Sequence, residues 1–453
     1  MKTRQGLNWR RAIALAQTER TLYAQRNPTS LSLANKANQH LMFGVPLHWM
    51  TDWGTPFALH VSQAQGAHLQ DADGHQLVDF CLGDTGAMFG HAPAAVARAL
   101  TVQATRGYTA MLASADAGEV ARLLSQNFGL PYWQFALSAS DANRFVLRWL
   151  RAATGRKKVL VFNGCYHGTV DDVFVDLQGG KPVQRESLLG QVHDLTEHTV
   201  VVEFNDLPAL EHALRAHDIA CVLAEPVMTN IGMVLPDEGF WVAAQKLIHQ
   251  HGSYLVLDET HTISSGPGGY ASAQGLQPDA VVLGKPLAGG LPAAAYGFSA
   301  ELSARAVAAK GAAVPGHSGI GTTLTGNMLG LAAMRASLQE LMTVENFALM
   351  HARARTLADG LRRLIAAHRM PWCVTQIGAR CEFQFTPNVP RNGSEAAAAL
   401  DAELEHLIHL YLLNRDVLIT PFHNMMLCCP QTSEADVQAL LSVLDSLLTW
   451  LTP

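Results

Sequence analysis

The stretch Asp279-Ala-Val-Val-Leu-Gly-Lys285-Pro-Leu-Ala-Gly-Gly290 joins a short apolar run to a glycine-flanked turn that presents one amine. Upstream, Tyr254-Leu-Val-Leu257 is a second apolar run, and it ends in Asp258-Glu259-Thr260, which sets a carboxylate at the tip of an element that otherwise reads as buried. Short continuous apolar runs suit strands covered on both faces. Others lie at 159–162, 199–204, 220–224 and 293–298, and helical stretches separate them. Strands spaced by helices need crossover connections, so the expected fold class is α/β, a mainly parallel sheet sandwiched by helices.

In such sheets ligands gather at the carboxyl ends of the strands. The polar candidates follow that rule: Tyr166 and His167 come after the 159–162 run, Glu225 after 220–224, Asp258 after 254–257 and Lys285 after 280–283. An unperturbed lysine has a pKa of about 10.4, too high for a base at neutrality unless desolvation, a nearby cation or bonding to a carbonyl lowers it. Standing alone, Gly284-Lys285-Pro286 reads as a solvated turn and Asp258 as a helix N-cap. Together they suit pyridoxal 5′-phosphate (PLP), which needs a lysine to hold its aldehyde as a Schiff base and an acid to keep its pyridine nitrogen protonated. A 5′-phosphate also needs backbone N–H groups, hydroxyls and a helix N-terminus. Leu137-Ser138-Ala139-Ser140-Asp141-Ala142-Asn143 offers these ahead of a helix carrying Arg144, Arg148 and Arg151 on one face. In Asn163-Gly-Cys-Tyr-His167-Gly168 the glycines permit a tight turn, and Tyr166 brings a ring suited to stacking on a flat heteroaromatic.

Composition narrows the partners. The chain has 453 residues, 49% hydrophobic and 15% charged, enough for one large core and a smaller one. Its 32 basic and 38 acidic residues give a formal charge of -6, and no basic run tracks a phosphate backbone, which argues against nucleic acid. Seven cysteines, without Cys-x-x-Cys spacing and with Cys428 and Cys429 adjacent, argue against a disulfide framework and a zinc site and fit a reducing cytoplasm. The twenty histidines form no metal-ligand pattern, and His406 with His409 reads as a helix face. Residues 9–17 are too short and interrupted an apolar stretch for a signal or membrane segment. They read as an amphipathic surface helix, with an Arg-containing transit segment as the alternative.

Asp73-Gly74, between alternating segments, predicts a two-residue hairpin within 66–79. Beyond Met342 the pattern changes to a long helix, shorter strands near 381–385, 417–420 and 425–429, and a closing helix. That helix opens on Ser433-Glu-Ala-Asp436, a capping-box-like start, and sets Val437, Leu440, Leu441, Leu444, Leu447, Leu448 and Leu451 on one face. The chain is therefore expected to divide into an N-terminal segment (1–75) that contributes to a small domain, a large PLP-binding domain (76–340) and a C-terminal α+β small domain (341–453).

Six blocks occur in order: Ser-Ala-Ser-Asp-Ala (138–142), Gly-Cys-Tyr-His-Gly (164–168), Glu-Pro-Val (225–227) with Asn-Ile-Gly (230–232), Asp-Glu-Thr-His-Thr (258–262), Gly-Lys-Pro (284–286) and Thr-Leu-Thr-Gly-Asn (323–327). The series resembles the class III aminotransferases, in the branch containing glutamate-1-semialdehyde aminomutase and β-amino-acid transaminases. The resemblance implies the fold type I PLP architecture, with Lys285 as the Schiff-base lysine and Asp258 as partner of the pyridinium nitrogen. It sets Tyr166 against the ring, Ser138, Ala139 and Ser140 around the phosphate, and His167, Glu225 and His261 beside the cofactor. It further implies a homodimer with shared active sites, in which Thr323 reaches the neighbouring subunit's phosphate. Asp84 and Thr85, with Trp53, match a region that lines the family's substrate pocket.

Several positions depart from the family pattern. The usual Ser-Gly-Thr phosphate block is Ser-Ala-Ser here, the commoner Asp-Glu-Val is Asp258-Glu259-Thr260 followed by His261, and the usual Asn-Pro is Asn327-Met328. In Ile419-Thr-Pro-Phe422-His423-Asn424, no arginine stands where many relatives use one to grip a substrate carboxylate. Arg380 is a candidate to supply that grip through two parallel hydrogen bonds, the alternative being a partnership with Glu382 or solvent. The activity expected first is a PLP-dependent aminotransferase that moves an amino group from an amine or amino-acid donor to a keto-acid or aldehyde acceptor. The alternative, served by the same lysine and aspartate, is a racemase or epimerase, or an aminomutase that keeps one molecule bound through both halves.

Overall fold

The computed structural model describes residues 3–452, His217 excepted. The chain forms two compact units, one of Ala94–Phe347 with Pro390–Ala398, the other of Met1–Pro93, Ala348–Val389 and Ala399–Pro453. The boundaries thus fall later than residues 75 and 340. Residues up to His91 belong with the smaller unit because Gly66 and His91 form a backbone bridge and Leu427 N–H donates to Phe80 O. The return at 390–398, absent from the sequence reading, is tied to the larger unit: Ser394 Oγ donates to Asn163's partner Glu203, and Asn205 Nδ2 donates to Arg391 O.

The larger unit is built on seven strands, β1 (Tyr132–Ala136), β2 (Lys158–Phe162), β3 (Thr199–Val202), β4 (Ile219–Ala224), β5 (Tyr254–Asp258), β6 (Ala280–Leu283) and β7 (Ala294–Phe298). They lie in the order β3-β2-β4-β5-β6-β7-β1. Pairing is parallel from β3 to β6, whereas β7 runs antiparallel to both β6 and β1. Every residue of β4, β5, β6 and β7 is buried, which is why these strands read as continuous apolar runs. β1 escapes the same reading because it lies at the sheet edge, where Trp133 and Ala136 are buried while Tyr132 and Gln134 face solvent.

Helix α1 (Ala139–Thr154) follows β1 directly. Ser138 caps it by accepting from Asp141 N–H at 3.2 Å, and Gly155, at φ 71°, ends it. Its buried face, Ala142, Phe145, Val146 and Leu150, packs with Val159, Val161, Leu223, Val256 and Val282 of the sheet in one cluster. Burying each such leucine, valine or phenylalanine contributes roughly 1.5–3 kcal/mol. That packing fixes where the N-terminus of α1 stands relative to the strand ends.

In the smaller unit, an antiparallel sheet joins β8 (Cys373–Ile377), β9 (Arg380–Gln384) and β10 (Met425–Leu427). A hairpin is present where predicted, but its turn is longer than the two residues expected: His68–Asp71 pairs antiparallel with Gln76–Asp79, residues 72–75 separate the strands, and the Asp71 carboxylate accepts the N–H groups of Asp73 and His75 across the turn. The first helix is longer than predicted, Trp9–Arg26, and buries Ala12, Leu15, Glu19 and Tyr23. The closing helix, Glu434–Leu451, has its full capping box at Ser433 and Asp436, and all seven predicted apolar side chains are buried. Among the described residues, no helix is long and apolar enough to cross a membrane.

Candidate active site

Asp258 is the last residue of β5 and only 4% exposed. Its Oδ2 accepts from Asn143 Nδ2 at 2.8 Å and pairs with His167 Nδ1 at 3.0 Å, while Oδ1 accepts Thr260 N–H at 3.1 Å. Asn143 sits on the first turns of α1 and also donates to His167 O at 3.1 Å, so α1, the β2 loop and the β5 tip meet at one carboxylate. Burial alone would raise the Asp258 pKa. The hydrogen bond and charge of His167 outweigh that, and the carboxylate is held below its ordinary range. Burial also opposes charge on His167, but Asp258 prevails and the imidazole is raised to about 10. Asp258 is therefore a fixed anion.

Lys285 comes two residues after the end of β6, at φ 45°. Its Nζ lies 2.7 Å from Nε2 of His261, a residue 6% exposed. A Cβ placed on Gly284 would come 2.8 Å from the Ala139 Cβ, so the lysine turn rests directly on the first residue of α1. The loop bearing His261 is clamped by buried Glu259, which accepts Tyr270 N–H at 2.9 Å, Ala271 N–H at 2.6 Å and the Thr262 hydroxyl at 2.5 Å. Burial pushes the Glu259 carboxyl up to about 7 against the pull of those donors.

At the start of α1, the amides of Ala139 and Ser140 have no intrahelical carbonyl to bond. Ser140 Oγ accepts Thr169 N–H at 3.0 Å, and the preceding Gly168, at φ 81°, could not carry a Cβ, which would lie 2.0 Å from that hydroxyl oxygen. Serine hydroxyls, free amides and a positive helix end form a cradle for an anion. Glu225, just past β4, is buried and receives the Thr229 hydroxyl and Asn230 Nδ2, and burial pushes its carboxyl up. Tyr166 keeps 39% of its surface exposed beside Phe174.

The larger unit therefore gathers Ser138, Ala139, Ser140, His167, Asp258, His261 and Lys285, with Tyr166 and Glu225 on adjoining strand ends. Thr323 is exposed and takes part in none of these bonds. In the smaller unit, buried Arg380 donates from Nη2 to Thr85 Oγ1 at 2.9 Å, and Glu382 pairs with His423 Nδ1 at 3.1 Å. Phe422 lies over His423 with ring centroids 5.0 Å apart, and Trp53 packs on Trp49. Leu82, Gly83, Asp84 and Thr85 all have positive φ, and Asp79 Oδ1 accepts the N–H groups of Cys81 and Leu82 to hold the turn. Left-handed backbone costs roughly 1–2 kcal/mol at each non-glycine residue, so this loop is strained. Sequence reasoning missed three supporting side chains, Asn143, Glu259 and the Glu382 partner of His423. For Asn143 a signal existed, since it is a polar residue next to the buried stripe of Ala142, Phe145 and Val146.

A mainly parallel sheet with a lysine, a fixed carboxylate and a helix N-terminus at its strand ends defines the fold type I PLP-dependent enzymes. Residues 49–446 match the family model of the aminotransferases of class III, and the chain belongs to that family. It is 47% identical to a glutamate-1-semialdehyde aminomutase from Pseudomonas aeruginosa PAO1, whose crystal structure aligns with a TM-score of 0.96 over 98% of this chain and 99% of that one. The β-phenylalanine aminotransferase of Variovorax paradoxus aligns at 26% identity and a TM-score of 0.86, over 97% of each chain. A glutamate-1-semialdehyde 2,1-aminomutase from Bordetella avium is 33% identical over 374 residues, 81% of this chain and 85% of that protein. The cofactor is PLP. The residues fit it: the anion cradle at α1 suits the phosphate, Asp258 Oδ1 retains a lone pair for a pyridinium N–H, and Lys285 offers the amine.

Proposed function

We propose that this chain is an aminomutase, exchanging an amino and an oxo group between adjacent carbons of one bound substrate, with glutamate-1-semialdehyde as the substrate to test first. Aminotransfer between two molecules, the activity expected first from sequence, becomes the second reading. The observation that carries this order is the 47% identity over 98% of the chain to an aminomutase, against 26% to a β-phenylalanine aminotransferase.

PLP, when bound, supplies an electron-withdrawing ring that stabilises negative charge on the substrate carbon bearing the nitrogen. Asp258 keeps the ring nitrogen protonated, and His167 and Asn143 keep Asp258 ionised and oriented. Lys285 Nζ removes a proton at one substrate carbon and delivers it at another. Ser138, Ser140 and the first-turn amides of α1 hold the phosphate, Tyr166 covers the ring face, and Glu225 stands beside it. Arg380, which donates to Thr85, and His423, paired with Glu382, are the side chains we assign to substrate recognition, together with Asp84, Phe422 and Trp53.

The test supplies glutamate-1-semialdehyde to the PLP-loaded enzyme with no other amine or keto acid. Complete conversion to the isomer with the amino group on C1 is the expected result. Conversion only when a keto acid is added would restore the aminotransferase reading, and loss of optical activity without positional change would establish a racemase.

We also propose a homodimer. Exposed Tyr108, Met111, Leu112, Val314 and Leu324, up to 87% accessible, lie on two segments of the larger unit, the second of which carries Thr323. Exposed large apolar side chains in this number support a contact surface. Sedimentation equilibrium is expected to give twice the chain mass; a monomer mass at micromolar concentration would remove the proposal.

A further inference from the structure

We infer that His261 is a catalytic residue that takes a proton from Lys285 Nζ and returns it, so that the lysine can act at two substrate carbons in turn. The inference rests on the reading of Lys285 as the reactive amine. Two nitrogens 2.7 Å apart share one hydrogen between them, because only an N–H aimed at the other's lone pair allows such an approach. An ammonium and a neutral imidazole meet that condition, and so do a neutral amine and an imidazolium. The proton can therefore pass from one to the other along an existing hydrogen bond.

The surroundings favour transfer over mere packing. His261 stands three residues past the tip of β5, on a loop clamped by Glu259 through Thr262, Tyr270 and Ala271. Lys285 is anchored between Gly284 and Pro286 at the end of β6. The two carboxylates flanking the loop have other commitments, Asp258 to His167, Asn143 and Thr260, and Glu259 to its three donors. Imidazole is the side chain whose protonation changes most readily near neutral pH.

The step balances without an added reactant. As Nζ takes a proton from substrate carbon, the C–H bond breaks, its electron pair stays on carbon, and a new N–H bond forms on Nζ. One N–H of the resulting ammonium then breaks as Nε2–H forms, which leaves a neutral amine and an imidazolium. Reversal restores the ammonium for delivery at the second carbon.

His261→Gln is the discriminating variant, since an amide still offers Nζ a hydrogen-bond partner but cannot take its proton. We expect kcat to fall about 100-fold, at the lower end of general acid–base effects, while KM and PLP affinity stay within about twofold. A second readout needs neither substrate nor cofactor: in the full-length chain without PLP, acylation of Lys285 by acetic anhydride near neutral pH, followed by peptide mass spectrometry, should slow about tenfold relative to surface lysines. Failure of the aminomutase reading would leave that labelling result intact, so the two proposals are tested separately. If His261→Gln proves unstable in thermal unfolding, His261→Gly with added imidazole replaces it, and recovery of kcat with rising imidazole is expected. Wild-type kcat and wild-type Lys285 labelling in His261→Gln, or no recovery with imidazole in His261→Gly, would overturn the inference.

Discussion

Lys285→Ala is expected to abolish turnover, a loss of at least about 1,000-fold, because on the role proposed for Lys285 it removes both the amine that bonds the cofactor and the base that moves the substrate proton. The fold should survive. Nζ extends from a short helical turn and bonds His261 across the strand ends, so its loss leaves the apolar strands β5 and β6 untouched. PLP should still bind through the phosphate cradle at α1, now released by dialysis because nothing holds it covalently. Single-turnover assays with excess enzyme give the rate, and added methylamine, a small amine able to enter the space left by the side chain, should restore part of it. Activity above a few per cent in the purified variant would mean that another group performs the proton transfer.

With Asp258 in its proposed place against the pyridine nitrogen, Asp258→Asn should cost about 100- to 1,000-fold in kcat, since a neutral amide cannot hold a proton there and electrostatic preorganisation is lost. It also has a signature in stability. His167 is raised to about 10 from an ordinary 6.5, so its contribution is complete below 6.5 and fades as pH climbs toward 10. Asp258 is lowered from an ordinary 3.8, so its contribution is complete above that value and is lost on acidification through the lower folded value. The two shifts describe one ion pair, which works at full strength between 3.8 and 6.5. The variant's deficit in Tm should therefore be largest in that window and should shrink as pH rises past it. A deficit that is flat from pH 5 to about 10 would show that His167 is not held charged by Asp258.

How much of this was legible in the sequence depended on whether a signal was local. Six largely buried strands, β2 to β7, announced themselves as apolar runs, and their ends located Asp258 and Lys285 because strand termini are where such sheets expose chemistry. The edge strand β1 was not legible, since its alternating exposure resembles a surface segment. Partnerships were less visible still. Nothing in the spacing of residues 143, 167 and 258 says that an amide, an imidazole and a carboxylate converge, because that requires α1 to pack on the sheet at one particular angle. Glu382 was considered as a partner for Arg380, yet it faces His423 after the chain returns from Val417–Leu418 to β10, a contact set by tertiary pairing of β9 with β10. The domain boundaries shifted for a related reason: strand bridges and side-chain ties assigned residues 76–93 and 390–398 to units that composition does not mark.

The touch between Ala139 and Gly284 makes two distant stretches of sequence a single object for anyone who varies this protein. One stretch opens the helix assigned to the phosphate and the other introduces the lysine, and the space between them admits one methyl group. A bulkier residue at either position would push the start of α1 and the lysine turn apart, so that a change made at one would displace the other. Positions 139 and 284 belong in the same combinatorial library, and neither can be surveyed meaningfully while the other is held fixed.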